Sequence, residues 1–282
     1  MNALEIRGLT KHYKDFTLGP LDLTLPGGCI MGLIGENGAG KSTTMSLILD
    51  AIRRDGGSVS VLGMDNQTEI QTIKEEVGVV LGEAGLPDCM TAKQTGRVMS
   101  GIFRHWDQKA YEEYLRRMDL PENKPFKELS RGMKMKLGIA VALAHHPKLL
   151  LLDEAANGLD PVARDELVDL LCDFAREEDH AVLISSHIVS DLEKLCDYIA
   201  FLHKGRLLLC EEKDALREEY GVLHCTPAQL EELDPGAILG RRETPYGVEA
   251  LVRRESVPAG SVLSAVSIED LFVFMVKGGK KE

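Results

Sequence analysis

Cys29-Ile30-Met31-Gly32-Leu33-Ile34-Gly35-Glu36-Asn37-Gly38-Ala39-Gly40-Lys41-Ser42 is the stretch that decides the fold. Its first part, Cys29 to Ile34, is short and continuously apolar, the pattern of a strand buried on both faces. The second part, Gly35 to Ser42, satisfies G-x-x-x-x-G-K-[ST] in full, and a helix is expected behind it from about Lys41 to Ile52. The glycines let the backbone curl until successive N–H groups, here from Gly38 to Thr43, point inward, and the helix N-terminus adds partial positive charge. Such a strand-loop-helix unit cradles nucleotide phosphates. Gly35, Glu36, Asn37, Gly38, Ala39, Gly40, Lys41, Ser42 and Thr43 are expected to bind the nucleotide, with Lys41 at the β- and γ-phosphates and the Ser42 hydroxyl on Mg²⁺.

Two further strands support this reading. Leu149-Leu150-Leu151-Leu152 delivers Asp153 and Glu154 to the C-terminal end of a buried strand, where open parallel sheets bind ligands. Asp153 is expected to hold Mg²⁺ through water and Glu154 to orient and polarise an attacking water, because phosphoryl transfer is mostly positioning and electrostatics. The next buried strand, from Ala181, ends in Ser185-Ser186-His187, which brings an imidazole to the corresponding edge, within reach of a γ-phosphate.

Around these strands, Leu4 to Arg7 and Phe16 to Leu25 alternate apolar and polar residues, as antiparallel strands with one wet face do. Helical periodicity dominates from about Thr68 to Lys127. There Asp107 serves as a cap, and Ala110, Tyr111, Tyr114, Leu115 and Met118 share one face. Strands then alternate with helices as far as the hairpin around His203-Lys204-Gly205-Arg206, which means a mostly parallel α/β core. Beyond Tyr220 the texture changes to short β-like stretches and one late amphipathic segment, Ile268 to Val276.

Composition narrows the function classes. The 282 residues carry a net charge of −12, which argues against a protein devoted to the nucleic-acid phosphate backbone. No apolar run approaches the ~18 to 20 residues of a bilayer span, and Met1 to Thr10 lacks the features of a secretory signal, so a cytoplasmic location is expected. The cysteines at 29, 89, 172, 196, 210 and 225 lack metal-ligand spacing and are expected to be small buried hydrophobes.

One more segment, Leu129-Ser130-Arg131-Gly132-Met133, opens a helix ahead of the acidic strand. With it the chain resembles the ATP-binding subunit of ABC transporters, bacterial exporter type with a separately encoded permease. The segment is similar to the family's L-S-G-G-Q signature, with Arg131 and Met133 substituted. The resemblance covers residues 1 to about 220 and implies a phosphate-loop ABC cassette: a mostly parallel core sheet, an N-terminal antiparallel β-subdomain and a helical subdomain over about 68–145. Residues 222–282 form a small α+β extension.

The resemblance also implies roles. Ser130 and Gly132 contact the γ-phosphate held by a second copy of the chain, so two chains sandwich two ATP molecules. Gly158-Leu159-Asp160-Pro161 is similar to the loop whose aspartate, here Asp160, crosses that interface. Tyr13 is similar to the aromatic that stacks on adenine, and His187 to the switch histidine. The family usually has a Gln that contacts Mg²⁺ where this chain has Gly82 beside Glu83. The function implied is ATP hydrolysis that drives export through an integral-membrane permease, of peptides or of antimicrobial and lipophilic compounds, with the subunit peripheral on the inner face of the cell membrane.

Three other readings account for less. A soluble ABC-type ATPase acting on ribosomes or DNA generally has two cassettes or long coiled coils, and no heptad run separates Lys41 from Leu129. An importer subunit would share the motifs but not the exporter-like ending Ser267 to Phe272. A phosphate-loop kinase explains Gly35 to Ser42 but not Ser130 or His187.

Overall fold

The computed structural model describes residues 1–82, 85–157, 159–245, 247–258 and 261–278, with the backbone alone at 190 and 191. The alternating N-terminal segments form β1 (Asn2–His12) and β2 (Thr17–Pro26), paired antiparallel. Their apolar positions, among them Leu4, Ile6, Leu23 and Leu25, are buried. The decisive run forms β3 (Cys29–Ile34), and the phosphate loop passes into α1 (Lys41–Ile48). This helix stops short of Ile52, because Asp50 adopts a left-handed conformation with φ of 49°. β4 (Gly56–Val61) and β5 (Met64–Asp65) complete a first sheet of order β2-β1-β4-β5.

α2 (Ile70–Glu76) leads directly into β6 (Val77–Leu81). The region expected to be helical from about Thr68 therefore contains an edge strand of the core sheet. Gly78 permits it, since a Cβ there would press on the Ala142 carbonyl oxygen and the Leu150 side chain. The helical insertion proper consists of α3 (Ala92–Met99), α4 (Gln108–Arg117) and α5 (Arg131–Leu143). Asp107 caps α4 by accepting from the N–H groups of Lys109 (2.9 Å) and Ala110 (3.0 Å). Tyr111 and Leu115 bury their face of α4 against Phe126, Leu137 and Ala140.

The core is completed by β7 (Leu149–Asp153), α6 (Pro161–Phe174), β8 (Ala181–Ser186), α7 (Val189–Leu195), β9 (Tyr198–His203) and β10 (Arg206–Glu212). The sheet order is β10-β9-β3-β8-β7-β6, parallel except for β10. Alternate residues face two apolar layers: Met31, Leu33, Leu151 and Leu183 pack on one side with Met45 of α1, and Ile30, Ile34, Leu150 and Ile184 on the other with Leu171 of α6. The register sets Ile34 beside Ser186, Ser185 beside Asp153, and Asp153 beside Leu81. The carboxyl ends of four strands thus meet around the phosphate loop.

α8 (Lys213–Glu219) connects to a third, antiparallel sheet built from β11 (Tyr220–Cys225), β12 (Ile238–Thr244), β13 (Gly247–Arg253) and β14 (Leu263–Ser264), in the order β12-β13-β11-β14. A short α9 (Pro227–Glu231) and the terminal α10 (Ile268–Gly278) flank it. Phe272 of α10 packs edge-on against Phe201 of β9, ring centroids 5.1 Å apart, and Val222, Leu251 and Leu271 join the same apolar cluster as β8 and α6. This continuity makes the tail a packed part of the molecule.

The cysteines depart from expectation. All are free thiols, but only Cys196 is buried, whereas Cys89 and Cys172 are exposed. Burial pushes the Cys196 thiol strongly upward.

Candidate functional site

Two of the expected residues converge on the carboxylate of a third. Lys41 Nζ and His187 Nδ1 each lie 3.4 Å from Glu154 Oε1. Lys41 is 5% exposed and also donates to the carbonyls of Gly35 (2.8 Å) and Glu36 (3.2 Å), so its ammonium pins the first turn of the loop. Glu154 itself has φ of 54°. A left-handed conformation costs a non-glycine residue roughly 1–3 kcal/mol. Here the bend turns the carboxylate away from the strand axis toward the loop, and the Glu154 N–H is held by Ser185, through its carbonyl (3.1 Å) and its Oγ (3.0 Å).

Sequence reading overlooked two residues that set this geometry. Asn157 Nδ2 donates to Glu154 Oε2, leaving Oε1 to face Lys41 and His187. The Ser185 hydroxyl donates to Asp153 Oδ1 while its oxygen accepts from the Glu154 backbone N–H, tying the Asp153 carboxylate and the Glu154 backbone to β8. Ser185 stands two residues before His187 at the same strand end. The signal was its register position opposite Asp153, which only pairing reveals.

The loop has the shape of an anion cradle. Gly35 approaches the Leu202 carbonyl so closely that a Cβ would collide with its oxygen, and Gly40 sits at φ of 113°. Gly38, at φ of 81°, has open space where a side chain would project. α1 begins with no side chain on its cap N–H groups, which leaves them for an anion. For a divalent cation the available donors are the exposed Ser42 hydroxyl and the buried Asp153 carboxylate. No group of three His, Cys, Asp or Glu residues suited to a metal occurs among the described residues. So sparse a donor set fits Mg²⁺, which takes one or two protein oxygens and completes its shell with phosphate and water.

Tyr13 is 45% exposed at the end of the β1–β2 hairpin, its ring 6.4 Å from that of Phe16. Phe16 in turn reaches the loop, its Cζ 3.2 Å from where a Cβ on Gly40 would be. Tyr13 is thus one ring removed from the loop, with the Lys11 ammonium 5.8 Å from its ring centroid. Ser130, Gly132 and Asp160 form a different group. Ser130 caps α5 by accepting from Met133 N–H (3.2 Å), and Gly132 lies against Leu159, next to Asp160. Asp160 caps α6, and the N–H groups of Ala163 and then Val162 hold its carboxyl below the usual carboxylate range. None of the three makes a hydrogen bond or ion pair to the phosphate loop of its own chain among the described residues. Gly82 follows β6 at φ of 58°, a conformation that disfavours the Gln the resemblance implies there. Glu83 and Gly158 lie outside the described residues.

Comparison with known proteins places the chain in a family. A family model described as ABC transporter matches residues 18–157. The chain is 34% identical over 209 residues to the bacitracin transport ATP-binding protein BcrA of Enterococcus faecalis, covering 73% of this chain and 68% of that one. It is also 34% identical over 215 residues to the lantibiotic transport ATP-binding protein SrtF of Streptococcus pyogenes, covering 75% and 91%. Among solved structures, an ATP-binding subunit of an ABC transporter superimposes with a TM-score of 0.70 at 27% identity, covering 76% of this chain and 92% of that one. With its phosphate loop, paired carboxylates and signature helix in one cassette fold, the chain belongs to the ABC transporter family as an ATP-binding, ATP-hydrolysing subunit.

Proposed function

We propose that this subunit closes on ATP with a second copy of itself and powers export of peptide antibiotics or related lipophilic compounds by a separately encoded integral-membrane permease. The observation that supports the cargo class is that two relatives at 34% identity are named for bacitracin and lantibiotic transport. Dimerisation is supported by the division of the site: Lys41, Glu154 and His187 meet in one chain, whereas Ser130, Gly132 and Asp160 present helix caps elsewhere. Residues 1–221 act as the cassette and 222–282 as its extension. No helix among the described residues is long and apolar enough to cross a membrane. On this reading the permease holds the subunit at the inner face of the membrane.

In the reaction, the N–H groups of Gly38 to Thr43 bind the phosphates, and Lys41 exchanges its carbonyl contacts for phosphate oxygens. Tyr13 stacks on the base. Ser42 and Asp153 would hold Mg²⁺, which when bound neutralises charge on the β- and γ-phosphates. Glu154 Oε1 accepts the proton of the attacking water, and the imidazole of His187, on the same oxygen, positions that carboxylate against the γ-phosphate. Ser130 and Gly132 of the second copy close over the γ-phosphate.

Inside-out vesicles that contain the subunit and its permease are expected to accumulate a labelled cyclic or lantibiotic peptide only with ATP, and to stop when Glu154 is replaced by Gln. ATP-independent uptake, or a subunit that binds RNA or DNA salt-sensitively and never sediments with membranes, would contradict the proposal.

A further inference from the structure

The turn between β9 and β10 touches the phosphate loop at both ends. β9 runs parallel to β3 with Phe201 beside Ile34, so continuing the register brings His203 abreast of Glu36. Leu202 supplies the carbonyl against which Gly35 packs. Beyond the turn, the Gly205 N–H donates to the Ala39 carbonyl (2.9 Å), and the Gly205 carbonyl accepts from Gly19 N–H (2.7 Å) of β2. Gly205, at φ of 79°, has no room for a Cβ against the Thr17 carbonyl. The turn thus ties the strand beside Tyr13 to the loop below it.

Within this frame His203 is poised. Its side chain is 17% exposed, and its Nδ1 is buried without a hydrogen bond, facing Glu36 Oε2 at 3.5 Å. Glu36 is otherwise a liability. A carboxylate on a loop that wraps a triphosphate adds negative charge where a polyanion must bind. An imidazole that draws this carboxylate toward β9 moves the charge off the phosphate side and fixes the loop entrance, whose carbonyl Lys41 already holds.

We propose that His203 is a positioning residue for ATP, closing on Glu36 to hold the entrance of the phosphate loop open to the triphosphate. The inference rests on the assignment of Gly35 to Thr43 as the ATP site, and it concerns affinity, not the hydrolytic step. Among the described residues His203 makes no hydrogen bond or ion pair with Glu154 or Asp153.

The test uses the purified full chain, with ATP titrations, steady-state hydrolysis and thermal midpoints measured on His203→Ala, His203→Gln, Glu36→Ala, the His203→Ala/Glu36→Ala double variant and Lys41→Ala. For His203→Ala, the KM and Kd for ATP should rise about five- to tenfold with kcat within twofold, the scale expected for one lost charge-assisted contact. His203→Gln, which keeps a donor, should recover most of the loss. Because His203 is proposed to act through Glu36, the double variant should bind ATP no worse than His203→Ala alone. A KM within twofold of the native value, strictly multiplicative effects in the double variant, or a fall in kcat that tracks the thermal midpoint would overturn the proposal. Lys41→Ala separates the two levels: if it binds ATP like the native chain, the site assignment itself fails, whatever His203 does.

Discussion

Glu154→Gln is expected to lower kcat for ATP hydrolysis by about 10²- to 10⁴-fold, the contribution typical of a positioned general base. ATP binding should stay within about threefold of the native value, because the substitution preserves shape and the contact with Asn157. The physical reason lies in Oε1, the atom that both Lys41 and His187 approach at 3.4 Å. An amide there cannot take a proton from water. Phosphate release at saturating ATP, beside a direct nucleotide titration, separates the two quantities. Turnover at the native rate would remove Glu154 from the reaction.

Lys41→Ala should act on the other quantity, weakening ATP binding by about 10²-fold, as loss of a buried, charge-assisted contact to a phosphate does. Lys41 is 5% exposed and tied to the Gly35 and Glu36 carbonyls, so its removal also frees the loop entrance and leaves Glu154 without its cation. Residual hydrolysis falls with occupancy. A variant that binds ATP within threefold of the native chain, at an unchanged thermal midpoint, would show that the triphosphate lies elsewhere.

Most of the architecture was legible because it is written in local patterns. Continuous apolar runs marked β3, β7 and β8, alternation marked β1 and β2, and Asp107 marked the start of α4. β6 escaped because it is short, begins directly after α2 and contains Gly78, whose value appears only when Ala142 and Leu150 pack against it. The tail was visible as a change of texture, but its attachment was not. The Phe272–Phe201 contact joins residues far apart in sequence, and periodicity carries no signal for such a pair.

The site divides in the same way. Lys41, Asp153 and Glu154 announce themselves through spacing at strand ends. Ser185 and His203 depend on strand register and Asn157 on the turn that follows Glu154: each is an ordinary polar residue until the fold places it beside a carboxylate. The cysteines show the opposite limit. Composition treated them alike, yet tertiary packing buries Cys196 and leaves Cys89 and Cys172 at the surface.

If the proposed sandwich forms, Lys41 and Glu154 of one copy face Ser130 and Gly132 of the other, and a single mass measurement tests it. Sedimentation equilibrium of the Glu154→Gln chain, which binds ATP without consuming it, should give one chain of 31.0 kDa without nucleotide or with ADP, and twice that mass with saturating ATP and Mg²⁺. A species that stays at 31.0 kDa while fully loaded with ATP would contradict the nucleotide sandwich on which the account rests.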